Sequence, residues 1–167
     1  MNACSLKDAL RIVSGRSFVY VMLYVVFSLF LLGLLPHIFS IPNIGNGLDI
    51  VVMMIPFLLA TSFFALALSR WFTDPEAPLL MIAFFSVGYI FLSGVSYPLE
   101  LMPWYWQAAH YIFPAAPAVL AFVQLNSMGA TLADIWPQML TLWIQAIVYG
   151  AWALHTARHK KRLSIPD

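Results

Sequence analysis

Residues 91–130 read FLSGVSYPLELMPWYWQAAHYIFPAAPAVLAFVQLNSMGA. The stretch has no Lys or Arg and is apolar enough to enter a bilayer, yet Pro98, Pro103, Pro114 and Pro117 interrupt any single helix that would cross it. Inside a helix a proline removes a hydrogen bond and clashes with the preceding turn, whereas in the first turn its missing N–H costs nothing. The prolines therefore read as helix starts. Pro98 and Pro103 suit the first turns of short pieces, where Glu100 meets a favourable dipole. Trp104, Tyr105, Trp106 and Tyr111 carry rings that favour the headgroup level, which sets 103–113 near the interface. Pro114 and Pro117 open a second apolar helix that stops between Asn126 and Gly129. The expected result is a re-entrant helical hairpin over 98–131.

The rest of the chain says what solvent surrounds that hairpin. It is 62% hydrophobic and 9% charged, with a mean hydropathy of +0.86, against about 45–50% apolar and about 25% charged in soluble domains. This is the composition of an integral membrane protein. A net charge of +1 leaves no electrostatic footprint for nucleic acid. Cys4, the sole cysteine, excludes an internal disulfide and a cysteine-based metal cluster.

A spanning helix needs about 20 mainly apolar residues, because a rise of about 1.5 Å per residue must cover about 30 Å of hydrocarbon. Four segments meet that length, at roughly 17–36, 48–69, 78–97 and 135–157. The expected fold is thus an all-α integral membrane protein, with four transmembrane helices and the re-entrant hairpin between the third and fourth. Asp134 is placed to cap the last span, with Pro137 still in its first turn. A cleaved signal peptide is disfavoured for the first segment, whose apolar run is too long and has no small-residue cleavage site after it. Pro56 inside the second span reads as a kink packed against a neighbour.

Basic residues collect in short cytoplasmic loops. Lys7, Arg11 and Arg16 precede the first span, Arg70 separates the second from the third, and Arg158, Lys160, Lys161 and Arg162 follow the last; none falls in 37–47 or 98–131. Both termini are expected in the cytoplasm and the hairpin outside. Residues 1–16 form a cytoplasmic amphipathic segment with Leu6, Leu10 and Val13 at helical spacing, and 158–167 a basic tail suited to lipid headgroups.

Catalytic chemistry has little to build on. His37, His110, His155 and His159 are scattered over both sides of the membrane, with no H-E-x-x-H and no acid at useful spacing. No Gly-x-Ser-x-Gly elbow and no G-x-x-x-x-G-K-[ST] phosphate loop occurs. No site for a metal or cofactor is expected in this chain. The methionines, Met53, Met54, Met81, Met102, Met128 and Met139 among them, read as adaptable packing. Asp49 and Glu100 lie near expected outer ends of helices, so each is first a helix-start acid and only second a substrate or gating group.

The block LSGVSYPLELMPWYWQAAHYIFP at 92–114 resembles the signature of type-2 ABC transporter permeases, the membrane subunits of many bacterial drug, polysaccharide and lipid exporters. Leu92, Ser93, Gly94, Pro98, Met102, Pro103, Tyr111 and Pro114 fill the places of that pattern. LNSMGATLADIWPQ at 125–138 is similar to the family's join into the last helix, SGRSFVYVMLYVVFSLFLL to its third helix, and ALALSRWFTDPEAPLL to its turn between the fourth and fifth. Members usually have six spans, so the resemblance implies the C-terminal part of such a membrane domain, or an abbreviated subunit that pairs with another. It further implies a multi-pass protein of the bacterial inner membrane, a separate ABC ATPase subunit that binds the ATP, and a second permease half in a homo- or heterodimer. Gly94, Pro98, Glu100, Met102, Pro103 and Pro114 would then form the gate, and Lys7, Leu10, Arg11 and Arg16 are candidates for contact with the ATPase. On the residues alone two alternatives stay open, an ATPase-independent channel or secondary carrier and a non-transporting membrane partner subunit. At the exit of the hairpin, Gln124 to Ser127 stands where many members carry an arginine.

Overall fold

The computed structural model describes residues 6–34, 38–39, 45–69, 72 and 76–158. All regular structure among them is helical: α1 (Leu6–Ser28, continued by a π-helical turn at Leu29–Leu34), α2 (Gly47–Leu68), α3 (Ala77–Leu92), a 3-10 turn (Leu99–Leu101), α4 (Trp104–Ile112), α5 (Ala115–Met128) and α6 (Trp136–Arg158). Cys4, His37, Asn43, Arg70, Thr73 and the basic tail from His159 onward lie outside the described residues.

α2 and α6 form the most extensive helix pair, and α1 leans against both. Near their starts, Met53 of α2 and Met139 of α6 share a buried cluster with Ala121 and Leu125 of α5 and Ile135. Near their ends, Leu66 and Ala67 of α2 meet Ala153 of α6, and there the partner is Val13 from the start of α1. Hence α2 and α6 run parallel and α1 runs antiparallel to them. Outside this contact α1 is exposed on most sides, with only Val13 and Ser17 buried among its described side chains.

Two helices, Leu10–Leu32 and Gly47–Leu68, are long and apolar enough to cross a membrane, and α4 with α5 makes a third if the bent pair is one span. The last expected span is present as a 23-residue helix, α6, but Gln138, Gln145 and His155 lower its apolarity. The third stops early. α3 has 16 residues, a length of about 24 Å at about 1.5 Å per residue, and ends at Leu92 where 78–97 was expected. The Ser93 hydroxyl turns back to donate to the Ile90 carbonyl at 2.6 Å, and Gly94 takes φ +78°, the left-handed region that ends helices. Composition could not place that stop, because Val95 and Tyr97 are still apolar.

The other ends are local. Asn46 Oδ1 accepts from the Leu48 N–H at 3.3 Å and caps α2. Gly129, at φ +65°, closes α5 as the glycine stop predicts. Asp134 behaves differently from the expected cap. Its carboxylate accepts from both the N–H and the hydroxyl of Thr131 at 2.8 Å, closing a turn upstream of α6, and those two bonds, backbone first, hold its pKa below the ordinary value. Pro137 explains the offset: its ring opposes the Ala133 carbonyl, so the turn at 132–135 does not merge into α6. At the other end of the chain, α1 runs through residue 16 without a break, so the basic segment from Leu6 onward and the first span share one helix.

Candidate functional site

Residues 92–114 fold into a short structure whose parts satisfy one another. Leu92 and Ser93 are buried at the end of α3. A Cβ on Gly94 would sit 2.9 Å from the Leu99 side chain, so the left-handed turn and the seat of Leu99 both require glycine there. Pro98 is extended and leads into the 3-10 turn that carries Glu100, which is exposed. Pro103 is extended at the N-cap of α4, and Gln107 Nε2 donates to the Met102 carbonyl at 2.8 Å, tying the turn to the helix after it. Pro114, buried, holds the N-cap of α5, with Pro117 also buried in its first turn. The four prolines therefore mark three helix starts, Pro98 before the 3-10 turn, Pro103 before α4, and Pro114 with Pro117 at α5. Trp104, Tyr105, Trp106 and Tyr111 are all exposed.

The helices on either side of Pro114 meet at 87°. They form an elbow, a bend that suits a re-entrant segment or a broken span. A break of this kind leaves carbonyls at the end of α4 without the amides a continuing helix would bring, and in an apolar surrounding each such group costs several kcal/mol. Two side chains of α6, more than thirty residues away, supply the donors. Gln145 Nε2 donates to the Tyr111 carbonyl at 2.7 Å, and one turn on, the Tyr149 hydroxyl donates to the Ile112 carbonyl. His110, 2% exposed, donates from Nδ1 to the Leu92 carbonyl at 2.6 Å, which satisfies the end of α3.

Rings fix the depth of the elbow. Phe113 contacts Phe64 of α2 at 6.1 Å and Tyr89 of α3 at 5.2 Å, and Phe64 lies 4.9 Å from Tyr149. Phe64 is eleven residues past Met53, which packs with Leu125 near the far end of α5. At about 1.5 Å per residue the elbow thus lies about 16 Å along α2 from that end. From there α5 returns, antiparallel to α2 and α6.

Sequence reading identified the prolines and Gly94 but gave no role to His110, Gln145 or Tyr149. The available signal was the pair of polar side chains at i and i+4 within an apolar helix, which in membrane proteins face the bundle interior. Its target, two carbonyls more than thirty residues away, has no local signature. Among the described residues no group of His, Cys, Asp or Glu could hold a metal ion. Leu10, Arg11 and Arg16 are exposed along the first turns of α1, whose Val13 packs on Leu66 and Ala153, within about a turn of the elbow partners Phe64 and Tyr149, and Lys7 lies in the first turn of the same helix.

Compared with known families, the chain matches the family described as ABC-2 family transporter protein over residues 2–155. No curated protein and no solved structure matches it.

Proposed function

The chain belongs to the ABC-2 family of transporter proteins, and from that premise we propose that it is a membrane-spanning permease subunit of an ATP-driven exporter, lining the substrate path and coupled to a separate ATPase. The family match over nearly the whole chain carries this reading. In it α1, α2, α3 and α6 are the four spans, both termini are cytoplasmic, and the α4–α5 elbow enters from outside the bacterial inner membrane. The parallel course of α2 and α6 supports the arrangement, because an odd number of further crossings must lie between two parallel spans, and α3 supplies one. The distribution of Lys and Arg supports its orientation.

Two sets of residues have roles in this reading. Gly94, Pro98, Glu100, Met102, Pro103 and Pro114 form the outer gate, a segment tied to α4 through Met102 and, at the elbow, to α6. Lys7, Leu10, Arg11 and Arg16 sit on the cytoplasmic end of α1 and couple to the ATPase. Because α1 continues into the span and Val13 is packed on Leu66 and Ala153, a push on that end is transmitted to α2 and α6.

Orientation is tested by single-cysteine labelling in the Cys4→Ser background. Cysteines at Asn43 and Gln107 should react with an impermeant maleimide from outside, and one at Thr73 only after permeabilisation; the reverse pattern excludes the topology. Energy coupling is tested by co-expression with a candidate ABC ATPase subunit from the same genome. A detergent-stable complex should form, with a second permease half, and the chain alone should be inactive. Transport by the purified single chain in liposomes without ATP would replace the permease reading by a channel.

A further inference from the structure

Beside the Val13 contact, an open-sided cavity of about 360 Å³ lies between α1, α2 and α6. Its wall includes Leu10, Ser14 and Ser17 of α1, Phe63 of α2, and Gly150 and Leu154 of α6. Its volume falls within the range of ligand sites, about 300–1,000 Å³, and its lining is apolar apart from the two serines. Ser14 donates to the Arg11 carbonyl at 3.3 Å, within its own helix. Ser17 is 5% exposed, yet its hydroxyl has no hydrogen-bond partner among the described residues. A buried hydroxyl in an apolar site is costly unless something bonds to it.

Charge marks one end of this cavity. Arg11 is exposed and stands at i−3 from Ser14 and i−7 from Phe18, so it borders the groove on its own helix face. Toward Val21 the lining is wholly apolar. An occupant that matches this gradient is anionic at one end and aliphatic at the other, with a hydrogen-bond acceptor between. We propose that the groove holds one acyl chain of an anionic phospholipid, with the phosphate on Arg11 and an ester carbonyl accepting from Ser17. The rise from Arg11 to Ser17, about 9 Å at about 1.5 Å per residue, is spanned by the arginine side chain together with the glycerol unit.

The test uses the full chain reconstituted in phosphatidylcholine vesicles doped with phosphatidylglycerol or phosphatidylcholine carrying a photoreactive acyl chain, with adducts mapped by mass spectrometry. Phosphatidylglycerol should label Leu10 to Val21 and the facing part of α6 well above the exposed lipid-facing residues Phe27, Leu80 and Ile82, and phosphatidylcholine should label them evenly. Arg11→Gln should lower the groove adducts about fivefold, the effect of one interfacial charge. Ser14→Trp fills the groove from an exposed position and should remove those adducts while leaving Phe27 labelled. Even labelling with both lipids, or groove adducts unchanged in Arg11→Gln, overturns the proposal, as does a wild-type groove shielded from both lipids by a second copy of the chain.

Discussion

Replacing Gly94 with leucine should abolish ATP-coupled transport while the protein still inserts at wild-type levels. Two costs combine at this position. A side chain at φ +78° pays about 1–2 kcal/mol for the left-handed backbone, and the new Cβ lies 2.9 Å from Leu99, where overpacking adds about 1–3 kcal/mol. The strain falls on the turn that leads from the buried Ser93 to the Pro98–Pro103 segment. Insertion is unaffected, because α1, α2 and α6 make their contacts elsewhere. Gly94→Ala carries the backbone cost with less crowding and should retain partial activity. The measurement pairs membrane-inserted yield with ATPase stimulation in the co-expressed complex. Full activity in Gly94→Leu would mean that the turn after α3 is a surface loop with no part in gating.

The Gly94 turn also marks how far the sequence could be read. α2 and α6 were legible to within a residue or so at each end, since long apolar runs flanked by Asn46, Ser69 or Pro137 leave few other choices. The starts of α4 and α5 were equally plain, because proline has almost one place in a helix. The end of α3 was not: it is set by a serine hydroxyl and a left-handed glycine inside a run that stays apolar to Tyr97. The continuity of α1 was hidden for the opposite reason, as charges at Lys7, Arg11 and Arg16 suggested a boundary that the backbone ignores. Most hidden was the elbow angle. Local sequence states that the chain breaks at Pro114, but 87° depends on which distant donors meet the freed carbonyls.

Those donors support the other large prediction. Gln145→Leu and Tyr149→Phe each remove one hydrogen bond to the end of α4 and leave a carbonyl unpaired, Tyr111 in the first case and Ile112 in the second. Tyr149→Phe keeps the ring that packs on Phe64 at 4.9 Å, so it isolates the hydroxyl. Orphaning an acceptor in an apolar surrounding costs about 1–3 kcal/mol, these two are half-buried, and interhelical hydrogen bonds in membranes reach only about 1.7, so about 1–2 kcal/mol is expected for each. In a chain of this size that lowers the thermal midpoint by about 2–8 °C per substitution. The double variant decides the mechanism. If both bonds hold one elbow, losing the first already frees the carbonyls to move, so the second costs less and the pair is sub-additive. The thermal midpoints of the four proteins in detergent close the cycle. Additive losses would mean that Tyr111 and Ile112 are held independently, and no loss from either single variant would mean that the elbow is set by its prolines and rings alone.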